Sequence, residues 1–381
     1  MMLEALVLAD DGVRLQLVQE LPRKSRSAPV RFQSPVAHAR LVQLPHLLRR
    51  GPSSEEAAGV FVLTFDGASS WYIGRSAADR KPLKSMGTIH QATSGVSAIH
   101  VGGYDKGLLS VGRHNGSADV WQLVHRGDKQ AAPRWDRVSA ASGAHHSWER
   151  VNRVAMSPDG RFLVACTDDN TGVWRLPATP DEEPFELRHL HGGDWQVSAL
   201  DVAQLRPGSH LIAIAFLSGA FEGWRVDDGA VEDAEDESDD LSKFGAPAKL
   251  TPTWQQLRKG SPRIVAISMA LEGASARTGQ GVIAAAGADG QVLLWSVDGL
   301  GRFAAATAAP RWAVRPSQMG FAFSAVDVLV ATGDDGLFDL ERSPCWVAAG
   351  CEGQLVAMEC SSGTVVHSGI VSGSVLAVRW R

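Results

Sequence analysis

Two adjacent histidines, His145 and His146, with Trp148 and Glu149 close behind, are where a metal or an acid–base centre would be sought first. Imidazole serves both tasks. A metal site, however, needs three or four ligands at defined spacing, and the sequence supplies no further ones there. Cys166, Cys345, Cys351 and Cys360 form no Cys-x-x-Cys pair and have no histidines at zinc spacing. Each lies in or beside an apolar run, so four buried free thiols are expected, which fits a reducing compartment. A GxxxxGK[ST] phosphate loop, an HExxH zinc motif and a GxSxG nucleophile elbow are all missing from the chain. The sequence thus offers no catalytic residue, no metal site and no cofactor site.

The remaining chemistry is that of binding. Asp227 to Asp240 is an acidic tract containing Glu232, Asp233, Glu235, Asp236, Glu237, Asp239 and Asp240. Like-charge repulsion and the scarcity of apolar side chains make about 227–242 a disordered insert. Two readings stand. It is a tolerated solvated loop, or an acidic arm that captures a basic segment such as a histone tail or a ribosomal-protein extension. It lacks the central glycine and terminal glutamate of a calcium loop. Pro22-Arg-Lys-Ser-Arg-Ser27 is a short basic cluster, read as a polar loop or as a nuclear-localisation patch. Three further segments, each expected in a connection that leads into the first strand of a repeating unit, carry tryptophan beside charge: Trp148 with Arg150, Asp194 with Trp195, and Arg311 with Trp312. Tryptophan and arginine concentrate binding energy at interfaces; the competing reading is that these indoles cap the ends of strands.

The elements that would position these groups recur along the chain. A short strand is followed by an apolar strand, a tight turn with Asp, Asn or Gly, and a strand ending in Trp. One copy runs from Val151 through Ser-Pro-Asp-Gly at 157–160 and Phe162–Cys166 to Trp174. Others run from Arg263 to Trp295, from Val96 to Trp121 and from Trp195 to Trp224. The second strand of each copy is apolar on both faces, as a strand between two neighbouring sheets must be. Asn115-Gly116 and Asp289-Gly290 supply the positive φ of a two-residue hairpin. Such a sheet cannot cover both faces alone and must stack on copies of itself.

These copies resemble the WD40 repeat over nearly the whole chain, on the Ser-Pro-Asp-Gly at 157–160, the turn Asp289-Gly290, and Trp121, Trp174, Trp224 and Trp295. The residue after each Trp is Gln, Arg, Arg or Ser where the family has Asp, and His191-Gly192 is the nearest approach to the family's Gly-His dipeptide. The resemblance implies an all-β chain forming a single seven-bladed β-propeller over residues 1–381, with four-stranded antiparallel blades. First strands begin near 38, 96, 151, 197, 264, 319 and 375, a mean period of about 54 residues, longer than the usual ~40–45 because of inserts. Only one strand follows position 375. Leu3–Asp10 and Val13–Val18 read as the next two strands, so a composite blade from both chain ends closes the ring and removes a free sheet edge. Val326–Gly336 and Cys345–Gly353 both read as a second strand with its turn; one is a connection, or there are eight blades.

What the family implies for function is a non-catalytic scaffold or adaptor, whose partners are other protein subunits. The alternative is a chaperone or reader of basic tails that works through the acidic tract. The 381 residues carry 37 Lys and Arg against 42 Asp and Glu, a formal net charge of −5, so no global basic field exists to hold nucleic acid. The longest apolar run, about Leu211–Leu217, is far short of a membrane span. No signal peptide, membrane segment or small-molecule substrate site is expected, and the location expected is the cytoplasm or the nucleus.

Overall fold

Apolar runs bounded by turn residues become strands, and in the computed structural model these strands account for nearly everything described. It describes residues 3–9, 12–17, 36–43, 58–64, 69–74, 84–90, 95–102, 107–124, 134–141, 149–168, 170–177, 184–191, 196–228, 249–256, 263–271, 281–298, 301–303, 310–315, 323–330 and 345–380. The N-terminal hairpin is β1 (Leu3–Ala9) and β2 (Gly12–Leu17). Five antiparallel four-stranded sheets follow in chain order. The first holds β3 (Val36–Gln43), β4 (Ala58–Thr64), β5 (Ser69–Gly74) and β6 (Lys84–His90). The second holds β7 (Val96–Gly102), β8 (Leu108–Arg113), β9 (Ala118–Val124) and β10 (Arg134–Ala141). The third holds β11 (Arg153–Met156), β12 (Phe162–Cys166), β13 (Asn170–Arg175) and β14 (Phe185–His191). The fourth holds β15 (Val197–Arg206), β16 (Ser209–Phe216), β17 (Phe221–Asp227) and β18 (Lys249–Gln256). The fifth holds β19 (Ile264–Ala270), β20 (Gly281–Gly287), β21 (Val292–Val297) and β22 (Trp312–Val314).

The sixth sheet joins the chain ends. It contains β23 (Phe323–Val330), β24 (Cys345–Glu359) and β25 (Val365–Trp380), and runs in the order β2-β1-β25-β24-β23. β24 folds back on itself at Glu352 and Gly353, where Gly353 takes a φ of 76°, so that the Cys360 N–H reaches Cys345 O at 3.0 Å. Its second arm pairs with the first part of β25, from Met358↔Val365 to Gln354↔Ile370. β25 then runs on to pair with β1, from Leu8↔Ser374 to Leu3↔Trp380. Of the two segments that read as second strands, Val326–Val330 lies in the first strand, β23, and 345–351 is its partner.

The core lies between sheets. Along β12, Phe162, Val164 and Cys166 face the fourth sheet, while Leu163 and Ala165 face the second. β16 repeats this: Ile212, Ile214 and Phe216 turn one way, Leu211, Ala213 and Ala215 the other. Both strands are buried along their whole length. A strand with period-two geometry and two apolar neighbours is apolar wherever it lies between them; Ser209 and His210, at the entry to β16, are the buried polar exceptions. The third-strand indoles fill the same gaps. Trp295 is 2% exposed and stacks on Phe303, and Trp174 is 3% exposed and lies across Gly172. Trp121 and Trp224 are half-buried.

At two of the junctions, neighbouring first strands are tied by the same joint. The Ser97 hydroxyl in β7 lies 2.7 Å from Val151 O, ahead of β11, and 3.2 Å from Gly112 O in its own sheet. Ser324 in β23 makes the same pair of contacts with Val375 O, at 2.5 Å, and Gly350 O, at 3.2 Å. In both places a glycine in the second strand leaves room for the valine. Further bonds link successive first strands: Met156 N–H donates to His100 Nδ1 (3.2 Å), Arg153 Nε–H to Ser198 O (3.3 Å), Met269 N–H to Asp201 Oδ2 (3.0 Å), and the Ser268 hydroxyl to Asp327 Oδ1 (3.2 Å). Among the described residues no helix is long and apolar enough to cross a membrane.

Two kinds of substitution test this packing. Trp295→Ala or Trp174→Ala should cost about 3–5 kcal/mol, the range for a buried large aromatic. A Cβ on Gly112 would lie 2.9 Å from Val151 Cβ, so Gly112→Ala should cost about 1–3 kcal/mol by overpacking. Denaturant unfolding measures both, and a change under about 0.5 kcal/mol would contradict the packing.

Candidate protein-binding surfaces

Strands alternate in direction, so the connections of each sheet emerge at two ends. First-to-second and third-to-fourth connections leave at one end; second-to-third connections and links to the next sheet leave at the other. The first of these ends carries a charge network across the third and fourth sheets. Ser157, Asp159 and Gly160 form the tight turn before β12. Asp159 accepts the Ser157 hydroxyl at 2.7 Å and the Arg161 N–H at 3.1 Å. Its other oxygen is 3.1 Å from Nε2 of His210, a fully buried side chain of β16. Burial opposes ionisation of Asp159, but the His210 and Ser157 hydrogen bonds, attraction to His210 and the Arg161 N–H outweigh it and hold the carboxyl well below its usual range. The His210 ring meets Phe162 edge-on, with centroids 5.1 Å apart.

A second link lies beside it. Asp228, buried at the end of the third strand of its sheet, is held by Arg161 and by Arg175, the latter at 2.8 Å. Asp227 accepts the Ser209 hydroxyl at 2.7 Å and Arg225 Nε–H at 2.8 Å. The first two acids of the tract expected to be a disordered insert are therefore structural: Asp227 closes β17 and Asp228 is clamped between two sheets. Nothing in the composition separates them from the acids that follow; only the arginines across the interface do. Glu232, Asp233, Glu235, Asp236, Glu237, Asp239 and Asp240 lie outside the described residues, between β17 and β18.

Trp148, Asp194 and Trp195 also lie outside the described residues, as do His145 and His146. Arg150 is exposed, just ahead of β11, and its neighbour Glu149 accepts the Thr167 hydroxyl at 2.9 Å. The expected position of Arg311 and Trp312, in a connection leading to a first strand, is corrected. Trp312 opens β22, a fourth strand, opposite Leu294. The pair therefore stands at the end that carries Asp228. Trp312 is half-buried, and its indole N–H donates to Cys360 O at 2.8 Å. Arg311 is exposed and its Nε–H approaches Ser361 O at 3.5 Å. The error has a physical source: a strand of three residues has no periodicity to read.

Sequence reasoning missed two buried polar side chains. His210 sits inside an apolar run, and a polar residue there is itself a signal. Asp119, fully buried in β9, is held by Arg113 and by Arg137 at 2.8 Å; it stands two residues before Trp121 and gave no such signal. The expectation of four free thiols is also corrected. Cys345 and Cys360 form a disulfide with a Cα–Cα distance of 5.3 Å, because the fold of β24 sets them opposite each other at the base of a hairpin. That removes the ground for expecting a reducing compartment. Cys166 and Cys351 are free and buried. Burial pushes the Cys166 thiol up to about 12 and raises Cys351 as well, with Glu352 adding to the effect, so neither is a nucleophile at neutral pH. Among the described residues no three His, Cys, Asp or Glu side chains are grouped to hold a metal ion.

No family model matches the chain, and no curated protein sequence matches it. Solved structures do match. One is Sqt1 of Chaetomium thermophilum, solved bound to the N-terminus of the ribosomal protein L10. It is 13% identical, with a TM-score of 0.50, over 84% of this chain and 74% of that one. The likeness is one of fold, and it supports a WD40-like β-propeller.

The Asp159 network predicts acid sensitivity with a definite sign. A carboxylate whose pKa is lowered by folding adds stability above its unfolded pKa, near 4; that stability is lost as pH falls below this value. Thermal melts between pH 7 and pH 3 should show the parent losing stability more steeply than Asp159→Asn. Parallel curves for the two proteins would remove the network from the account of stability.

Proposed function

We propose that this chain is a non-catalytic adaptor that holds protein partners on a closed seven-bladed propeller within a larger assembly. The observation that carries the reading is the continuity of first strands. Cα atoms approach within 8 Å from β3 to β7, β7 to β11, β11 to β15, β15 to β19, β19 to β23, β23 to β25, and β25 back to β3. The joint from Ser324 to Val375 repeats the one from Ser97 to Val151, so residues 374–380 serve as a seventh first strand, with β1 and β2 as its second and third. Closed stacks of sheets are rigid platforms with two ends, and binding residues concentrate on the connections that such scaffolds position. That Sqt1 was solved holding a protein N-terminus favours protein partners for a chain of similar fold.

Truncation after Gly373 tests closure. It takes away the strand paired with β1, the acceptor of Ser324 and the valine seated at Gly350, and exposes a sheet edge. An aggregated product or one without a cooperative melt is expected; a melt like the parent's would open the ring. Affinity capture of the full chain followed by mass spectrometry and gel filtration tests the adaptor. It should recover protein subunits in fixed stoichiometry, whereas elution as a lone monomer from every extract would overturn the reading.

A second reading, capture of a basic protein segment by Glu232–Asp240, is favoured by the peptide-like ligand of Sqt1. Deleting 232–240 separates the two. An adaptor keeps its partners. A tail binder loses affinity, and the parent's binding weakens steeply with salt.

A further inference from the structure

One outer strand differs from the others. The fourth strands β10, β18 and β22 are largely half-buried where their side chains are described, but Thr364, Val365, Val366, His367 and Ser368 are all exposed. Val365 is 38% and Val366 54% exposed, and among the described residues Leu217 is the one other exposed large hydrophobic side chain. This stretch pairs on one side with 354–358, and no other described strand pairs with it. The register shifts between Ala357 and Met358, which leaves Val366 without a residue opposite. A bulge of this kind re-aims a side chain outward. An open edge carrying apolar side chains is ordinarily blunted or covered.

The edge is also held in place before anything docks. The turn that leads into it is pinned by the Cys345–Cys360 disulfide, by the Trp312 indole on Cys360 O, and by Gly363 N–H donating to Glu359 O at 2.8 Å. Trp312 packs on Gly363, whose φ of 71° only glycine adopts freely. A rigid edge loses little conformational freedom when a strand adds to it. The charged side chains on the strands that form it have one sign. From Cys345 to Val378 the sequence holds no Lys or Arg, while Glu352 and Glu359 are both exposed. Arg311 reaches the turn beside Glu359; among the described residues no ion pair is found for Glu352, which lies at the other end, with Ile370. A second copy of the chain would bring the same carboxylates together, which disfavours self-pairing.

We propose that the 364–370 edge is a docking strand for an extended, lysine- or arginine-bearing segment of a protein partner, which adds beyond β25 with a β-branched side chain on Val366 and its cation near Glu352. Main-chain bonds would supply affinity and the valine contact and charge would supply selectivity. The proposal rests on the protein-binding reading above and names the surface and the chemistry of its ligand.

The test is fluorescence polarisation with the full chain. The probe is a short labelled peptide of alternating valine and threonine with a lysine at each end. Saturable binding is expected, weakened about tenfold or more by Val366→Lys and severalfold by Glu352→Lys, with melting temperatures unchanged because both side chains are exposed. The same peptide with glutamate for lysine, or with N-methylated amides along one edge, should bind at least tenfold more weakly. No saturable binding, equal binding of the lysine and glutamate peptides, equal binding of the N-methylated peptide, or full binding by Val366→Lys would each overturn the docking strand. If affinity capture recovers a stoichiometric partner that Val366→Lys retains, the docking strand falls while the adaptor reading stands.

Discussion

The close approach of neighbouring first strands is the constraint on which the stacked sheets depend, and at two junctions a serine hydroxyl that reaches the next first strand holds it. Ser97 does this for Val151 and Ser324 for Val375. In each case a glycine, Gly112 or Gly350, lets the valine sit against the backbone of the second strand. Close approach of first strands is what brings second strands into apolar contact on both faces. Without it, β12 and β16 would each expose an apolar face to water, at roughly 25 cal/mol for every Å² uncovered. Among the described residues those faces meet the neighbouring sheets, so stacking is what buries them.

The charged groups at the ends of the third and fourth sheets add direction to this stacking. Apolar faces tolerate sliding; the Asp159–His210 contact and the two-arginine clamp on Asp228 do not. Both links cross the same interface at the same end, and both use side chains whose charge is costly to bury unpaired. They also anchor the start of the acidic tract, at Asp228. The same end carries Arg311 and Trp312. Trp312 is partly structural, because its indole N–H is committed to the turn that precedes the exposed strand at 364–368. A protein-binding role for that region runs through the strand it supports.

The sequence by itself determined the elements and their repetition. Period-two apolar runs, Asn-Gly and Asp-Gly turns and a Trp in the third strand of each four-stranded sheet are local features, and a strand such as Phe162–Cys166, apolar at every position, announces two covered faces. The pairing of both chain ends was legible too, because Val375–Trp380 is one strand short of a hairpin that β1 and β2 supply. Tertiary structure alone decided what depends on distance across sheets. Whether Asp228 is a solvated acid or a clamped one is set by Arg161 and Arg175, more than fifty residues away in the chain. Whether Cys345 and Cys360 are thiols or a disulfide is set by the fold of β24 at Gly353. Trp312 belongs to a three-residue strand, which carries no period of its own and takes its place from Leu294 opposite. Pairing partners and charge partners are long-range choices, made only when neighbouring sheets come within reach of one another, and no local pattern encodes them.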